Sequence, residues 1–342
     1  MLTTVSAYGR TGGSARVRIF DWLDHLALEA DSHTYLDRST AGLGDLRRDP
    51  VGALRAELSL RSLARRGSET LLLSRNASSL STGALEARLL RSAARSVYDI
   101  DDALMNLTGG PFPKERIWRR ASEAADVCLV GNDYLADRAS SVAREVVVVP
   151  SCVEVDAYTH KSDFTTGDVP VAVWMGSPGT EQFLRTVAEP LVAEHRRSGL
   201  RLRVISRGTA SLGPLDVMVD REDWDVTTYT SVLASADLGI MPLVDDAVWA
   251  PGKCAYKLLQ YGASGLPSIA SPVGANALAI ERLGSTAATD AAEWAQALRE
   301  LVDASASTRA ELGARARTAV TEHYSFGAWA PVWRRYVLGD GA

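Results

Sequence analysis

Residues 251–276 read PGKCAYKLLQYGASGLPSIASPVGAN, and this stretch decides the fold. Pro251 and Gly252 mark a loop-to-helix junction, a helix is expected over 253–264, and Gly265 ends it. Pro267 then opens a short apolar strand, and the loop from Ser271 to Asn276 leads into another helix. A helix followed at once by a buried strand is part of a parallel α/β repeat. At about 100° per residue, Lys253, Lys257, Gln260 and Ser264 share one stripe of that helix, while Ala255, Leu258, Leu259 and Gly262 lie on the other faces. The stripe reads either as a solvent-facing edge or as a ligand-facing one. Of the 37 basic residues only Lys114, Lys161, Lys253 and Lys257 are lysines. Where arginine has replaced lysine nearly everywhere, two survivors in one short segment point to a place that needs a compact ammonium.

Working outward, strands are expected at 2–7, 70–74, 96–100, 127–131 and 146–149, with helices at 14–29, 50–66, 84–94, 114–124 and 133–142. The pattern restarts after the polar stretch 156–168. Strands then fit 170–176, 201–206, 216–219, 237–242 and 267–271, and helices fit 180–197, 227–235, 253–264, 276–283, 291–303 and 307–323. Such alternation predicts two doubly wound domains whose ligands bind at the carboxyl ends of the strands. An aromatic tail at 325–338 carries Trp329 and Trp333 four apart and reads as a terminal helix, docked either on its own domain or on the first.

The 342 residues suffice for two self-sufficient cores. A net charge of −5 disfavours nucleic acid as a partner. The longest apolar runs fall well short of the ~18 residues of a membrane span, and no leader pattern stands at the N-terminus. Cys128, Cys152 and Cys254 have neither disulfide-framework nor metal spacing. A reducing cytoplasm fits. The region 46–66 holds six arginines against Asp49 and Glu57; it reads as a solvated face in preference to a membrane-surface contact.

The 251–276 run resembles the nucleotide-sugar segment of retaining GT-B glycosyltransferases, glycosyltransferase family 4 (glycosyl transferases group 1). Members often read G-K-[SC]-x-x-K-L-L-[QE]-Y-M-A-x-G-L-P-V-V-A-S-x-V-G-x-N; here Gly262 stands where Met is usual. SVYDIDDAL (96–104), DVCLVGNDYLADRA (126–139), VVVVPSCVEVDAY (146–158), VAVWMGSPGTEQFL (171–184) and SADLGIMPL (235–243) resemble further family segments in the same order. The resemblance covers about residues 96–284 and is weak over 1–95. It implies an α/β GT-B fold: a Rossmann-like acceptor domain at 1–155, a Rossmann-like nucleotide-sugar domain at 156–322 facing it across a cleft, and a helix at 323–342 returning to the first domain.

The resemblance also implies roles. The enzyme would move a sugar from a nucleotide-diphosphate sugar to an acceptor hydroxyl with retention, without metal or other cofactor. Lys253, with backbone N–H groups of Gly252, Lys253 and Cys254, would oppose the leaving diphosphate. Gly176, Ser177 and Thr180 form a turn that would add donors or simply cap a helix. The family Arg/Lys pair is missing there, and Arg207 is the replacement expected. Lys257 shares the cationic stripe. Gln260 stands at the family glutamate that holds the ribose, and Trp224 is placed for the base. Asp245 and Trp249 lie in the loop expected to meet the donor sugar. Asp101 and Asp102 fall where a His-Asp pair often faces sugar or acceptor. Gly12, Gly13, Arg16 and Asp99 are expected on the acceptor side.

Asp99-Ile-Asp101 also matches the D-x-D of metal-dependent GT-A enzymes, but that fold lacks the later Gly-Lys segment. The acidic cluster 99–102 points to a cationic acceptor such as an aminocyclitol or another soluble natural product; the wider expectation is a small molecule or glycan. The alternatives are a GT-B-like nucleotide-sugar epimerase or hydrolase, which needs a cleft histidine, and a non-catalytic sugar-nucleotide binder.

Overall fold

The structure is a computed structural model that describes residues 1–109, 112–246 and 248–339. The chain forms two compact units. Unit 1 comprises Met1–Cys152, Ala247–Cys254 and Trp329–Ala342; unit 2 comprises Val153–Asp246 and Ala255–Ala328.

Unit 1 is built on six parallel strands: β1 (Leu2–Ser6), β2 (Ala30–Thr34), β3 (Ser68–Ser74), β4 (Ala93–Ile100), β5 (Val127–Val130) and β6 (Val146–Val148), in the order β2-β1-β3-β4-β5-β6. The order reverses between β1 and β3, which is where a doubly wound sheet opens a crevice at its carboxyl edge. Alternate residues of β3 and β4 take opposite faces. Leu71, Leu73, Tyr98 and Ile100 join Leu60, Leu63, Leu90 and Trp118 in one core beneath the helices Pro50–Arg66, Ala84–Ser92 and Lys114–Ala124. The first of these helices shows its punctuation: Asp49 accepts from the Gly52 N–H, Pro50 opens the first turn, and Gly67 leaves at φ +74°.

The aromatic tail packs within unit 1. Trp333 stacks on Trp22 with centroids 5.2 Å apart, and both rings are 1% exposed. Arg95 donates to the carbonyls of Arg335 and Tyr336.

Unit 2 carries β7 (Val171–Met175), β8 (Arg201–Ile205), β9 (Val219–Glu222), β10 (Leu238–Met241), β11 (Ser268–Ala270) and β12 (Thr286–Ala287), in the order β12-β11-β10-β7-β8-β9, with every pair parallel. Numbered within the unit this is the 3-2-1-4-5-6 order of dinucleotide-binding sheets, with its switch point between β7 and β10. Ala172 and Trp174 face one core with Leu191, Leu202 and Trp294; Val173 and Met175 face another with Leu258, Tyr261 and Val320. Gly262 has a packing reason here. A Cβ at that position would lie 2.6 Å from Val320, so glycine lets the helix Ala306–Tyr324 close onto the helix Tyr256–Ala263.

The two doubly wound α/β domains expected from the sequence are present, with local differences. The helix expected over 14–29 stops at His25 and gives way to β2. The helix expected over 180–197 is a 3-10 segment, Pro178–Val187, followed by the α-helix Ala188–Ser198. The strand expected at 216–219 runs Val219–Glu222, because Gly213–Val217 forms a 3-10 turn. The helix expected from 253 starts at Tyr256.

Candidate functional site

At the carboxyl edge of the unit 1 sheet, three carboxylates that follow or end β4 meet three cations. Asp99 is 1% exposed and receives both Nε and Nη2 of Arg18, at 3.0 and 2.6 Å, together with the Ser74 hydroxyl at 3.1 Å. Arg18 spends its remaining nitrogen on the Val149 carbonyl at 2.8 Å. Burial opposes the Arg18 charge, but the charge and hydrogen bonds of Asp99 outweigh it and hold the guanidinium protonated. Asp99 is therefore a buried bond between the first helix and β4, with its oxygens occupied by protein donors.

Asp101 and Asp102 directly follow β4. Arg75 Nη1 reaches Asp101 at 3.3 Å and Asp102 at 3.6 Å, and Lys253 Nζ reaches both oxygens of Asp102 at 3.2 and 3.3 Å. The Lys253 ammonium also lies 5.3 Å from the centroid of the Trp249 ring, and its side chain keeps 27% of its surface open. Arg75 is held in an unusual way for a non-glycine residue. It sits at φ +61°, immediately after β3, with its carbonyl bonded by the buried Tyr98 hydroxyl and its guanidinium on Ser14. Its Nε is buried with no hydrogen-bond partner among the described residues.

The loop that carries Lys253 is anchored to unit 1 by its backbone. Asn132 Nδ2 donates to the carbonyls of Lys253 and Pro251, and Cys254 Sγ lies 3.3 Å from the Asp101 carbonyl. Gly131 leaves the room that this sulfur fills, since a Cβ there would collide with it. Burial raises the Cys254 thiol to about 12, so it packs as a neutral group.

The expected nest of helix N–H groups at Gly252, Lys253 and Cys254 is not formed. The Gly252 and Lys253 N–H groups close a 3-10 turn onto Trp249 and Ala250, Lys253 is extended, and Ala255 turns the chain at φ +54° before the helix starts. Lys253 is thus off the helix that bears Lys257 and Gln260. Of the expected acceptor-side residues, Gly12 is buried against Tyr8, Gly13 is exposed, and Arg16 is half-buried in the helical segment that also carries Arg18.

At the carboxyl edge of the unit 2 sheet, Gly176 bonds the Ile205 carbonyl, and a Cβ there would press on the Trp174 ring at 2.5 Å. Thr180 turns its hydroxyl and its N–H onto the Ser177 carbonyl, so that turn closes on itself. Arg207 is exposed, with its guanidinium 5.9 Å from the Trp224 ring, and Trp224 stacks on Tyr229. Lys257 Nζ lies 5.3 Å from the Trp174 ring. Gln260 is 3% exposed and donates to the Tyr158 hydroxyl at 3.1 Å, which turns its amide into the unit. Asp245 is exposed.

Sequence reasoning assigned no role to Arg75 or Asn132, and saw Arg18 only as a neighbour of Arg16 in the helix after Gly12 and Gly13. Asn132 had a readable signal, a side chain capping the helix Asp133–Ser140 at a strand end. Arg75 had only its place after a run of leucines, and Arg18 its place in the helix after the Gly12–Gly13 loop.

A family model described as Glycosyl transferases group 1 matches residues 171–304, which span the whole unit 2 sheet. That domain and the paired sheets define a glycosyltransferase of GT-B architecture. Among solved structures, the chain is similar to WaaG, a glycosyltransferase involved in lipopolysaccharide biosynthesis, with a TM-score of 0.70 at 12% identity over 100% of each chain. It is similar to sucrose-phosphate synthase from Thermosynechococcus elongatus, with a TM-score of 0.68 at 14% identity over 97% of this chain and 96% of that one. It is also similar to Anabaena HepE, solved in complex with UDP and glucose, with a TM-score of 0.67 at 12% identity over 95% of each chain. No curated protein matches the sequence. Among the described residues, no helix is long and apolar enough to cross a membrane.

Proposed function

We propose that the protein transfers a sugar from a nucleotide diphosphate to an acceptor hydroxyl with retention of anomeric configuration, and that Lys253 balances the charge of the departing diphosphate. The observation that carries the reading is the partly open Lys253 ammonium, held at 3.2 Å by Asp102 on a loop whose carbonyls are fixed by Asn132. A cation positioned in advance stabilises developing phosphate charge without reorganising. Unit 2, with its 3-2-1-4-5-6 sheet and the matched domain, takes the nucleotide, with Trp224, Arg207 and Lys257 as its contacts. A uridine nucleotide is the first choice, by analogy with the UDP-bound neighbour.

The acceptor is a small molecule or glycan without a charge requirement. Asp99, Asp101 and Asp102 already face Arg18, Arg75 and Lys253, so the cluster offers no net negative charge to a cationic aminocyclitol. The same pairing supports transfer without a metal on these carboxylates.

The test is a panel of UDP-, dTDP-, GDP- and ADP-sugars, scored by nucleotide-dependent thermal stabilisation, by diphosphate release and by the anomeric coupling of the product. Retention, with activity that survives a chelator, is expected. An inverted product, or activity that chelator abolishes and manganese restores, overturns the reading.

A further inference from the structure

The outer face of the helix Pro50–Arg66 carries an arrangement that the transfer reaction does not use. This helix buries Ala53, Leu60, Leu63 and Ala64 against unit 1. On the opposite side Val51, Leu54 and Leu58 are 58, 60 and 56% exposed. Their spacing of three and four residues sets them in one apolar line.

Arginines flank that line on both sides: Arg47 and Arg48 from the preceding helix Leu43–Arg48, and Arg55, Arg61, Arg65 and Arg66 from the helix itself. Salt bridges on this face tie Arg48 to Asp45, Arg61 to Glu57 and Arg66 to Asp31, and leave Arg47, Arg55 and Arg65 without one among the described residues. Its acidic residues also have structural duties. Asp45 takes the Gly42 N–H, Asp49 takes the Gly52 N–H, and Glu57 takes the Tyr35 hydroxyl. The whole chain carries −5, so this basic charge is segregated and does not reflect the average.

Nucleic acid would match the arginines but has nothing for three exposed aliphatic side chains. A second copy docked through the same patch would set arginine against arginine. An anionic bilayer satisfies both halves of the pattern, with aliphatic side chains at the headgroup boundary and guanidinium groups on lipid phosphates.

We propose that unit 1 docks reversibly, through the Val51–Leu54–Leu58 line and its flanking arginines, on the surface of a bilayer containing anionic lipid. The helix links parallel strands β2 and β3 and therefore runs antiparallel to them. Val51 and Leu54 consequently lie toward the carboxyl edge of the sheet, the same edge that carries Asp102 and Lys253.

The proposal does not depend on the transfer reaction and is tested separately. The full chain is sedimented with vesicles of phosphatidylcholine alone, or with phosphatidylglycerol as about a third of the lipid, at low salt and in half-molar sodium chloride. Binding is expected only with phosphatidylglycerol and only at low salt. Arg55→Ser with Arg65→Ser is expected to weaken partitioning about thirtyfold, roughly a factor of five per arginine. Leu54→Ser with Leu58→Ser is expected to weaken it about tenfold or more. Both pairs are solvent-exposed, so the variants keep the melting temperature of the parent. Equal binding to both vesicle types, no binding to either, or variants that partition like the parent would overturn the proposal. So would salt-sensitive retention on RNA with none on vesicles, which would instead mark a nucleic-acid surface.

Discussion

Replacing Asp99 with asparagine separates two roles that the sequence could not. If Asp99 faces an acceptor, the change lowers turnover and leaves the fold alone. If it is the counter-charge of Arg18, the change strips a guanidinium whose side chain is 1% exposed of the carboxylate that it pairs with. Arg18 would keep the Val149 carbonyl and one amide oxygen, but no charge to replace a carboxylate that takes Nη2 on Oδ1 at 2.6 Å and Nε on both oxygens at 3.0 and 3.2 Å. Leaving one half of a buried pair uncompensated costs about 3–5 kcal/mol. For a domain of this size each kcal/mol moves the melting temperature by about 2–4 °C, so a drop of roughly 6–20 °C is expected by scanning calorimetry. Arg18→Met combined with Asp99→Leu removes both charges and should recover most of that loss. A melting temperature for Asp99→Asn within about 2 °C of the parent, together with a loss of turnover, would refute the structural assignment and return Asp99 to the acceptor side.

Four further outcomes are expected. Lys253→Ala should lower turnover about a hundredfold with little change in acceptor KM; near-parental turnover would remove Lys253 from the site. Gln260→Glu places a carboxyl where 3% of the residue is exposed. Burial would raise that carboxyl above the ~4.3 of an unfolded glutamate, so the variant should match the parent at acid pH and lose stability as pH rises; a pH-independent difference in melting temperature would contradict this. Asp21 is raised to about 6 by burial, so its protonated form favours folding and stability is lost as pH climbs from about 4 towards 6. Asp21→Asn should accordingly melt above the parent at neutral pH and level with it near pH 4, and calorimetry at the two pH values reads the difference. Trp333→Ala empties a site stacked on Trp22 and should cost about 3–5 kcal/mol; a denaturant midpoint that does not move would mean the tail is not part of the core.

The parallel strands were legible because they are short apolar runs between amphipathic helices, and Gly-Lys at 252–253 drew attention to the loop proposed to meet the diphosphate. β2 was not legible. Its sequence, Ala-Asp-Ser-His-Thr, is polar because it lies at a sheet edge and is only partly buried. The helix start was misplaced by three residues because Ala255 adopts a left-handed backbone that an alanine does not announce. The Arg18–Asp99 and Arg75–Asp101 pairs were invisible for another reason. A long-range ion pair leaves no local period, and Asp99, Asp101 and Asp102 looked like one acidic cluster until the fold supplied a cation for each.

The chain passes between its two units four times, at 152/153, 246/247, 254/255 and 328/329. This has a bearing on how the protein is made. Trp22 leaves the ribosome about 300 residues before its stacking partner Trp333. Asp102 likewise waits for Lys253 until most of unit 2 has been synthesised. Unit 1 therefore cannot finish folding as an N-terminal piece ahead of unit 2, and a stop codon near residue 328 would leave an aromatic face and the Arg95 guanidinium without the tail that covers them. Strict domain-by-domain folding during synthesis would therefore leave unit 1 incomplete until the helix that carries Trp333 arrives.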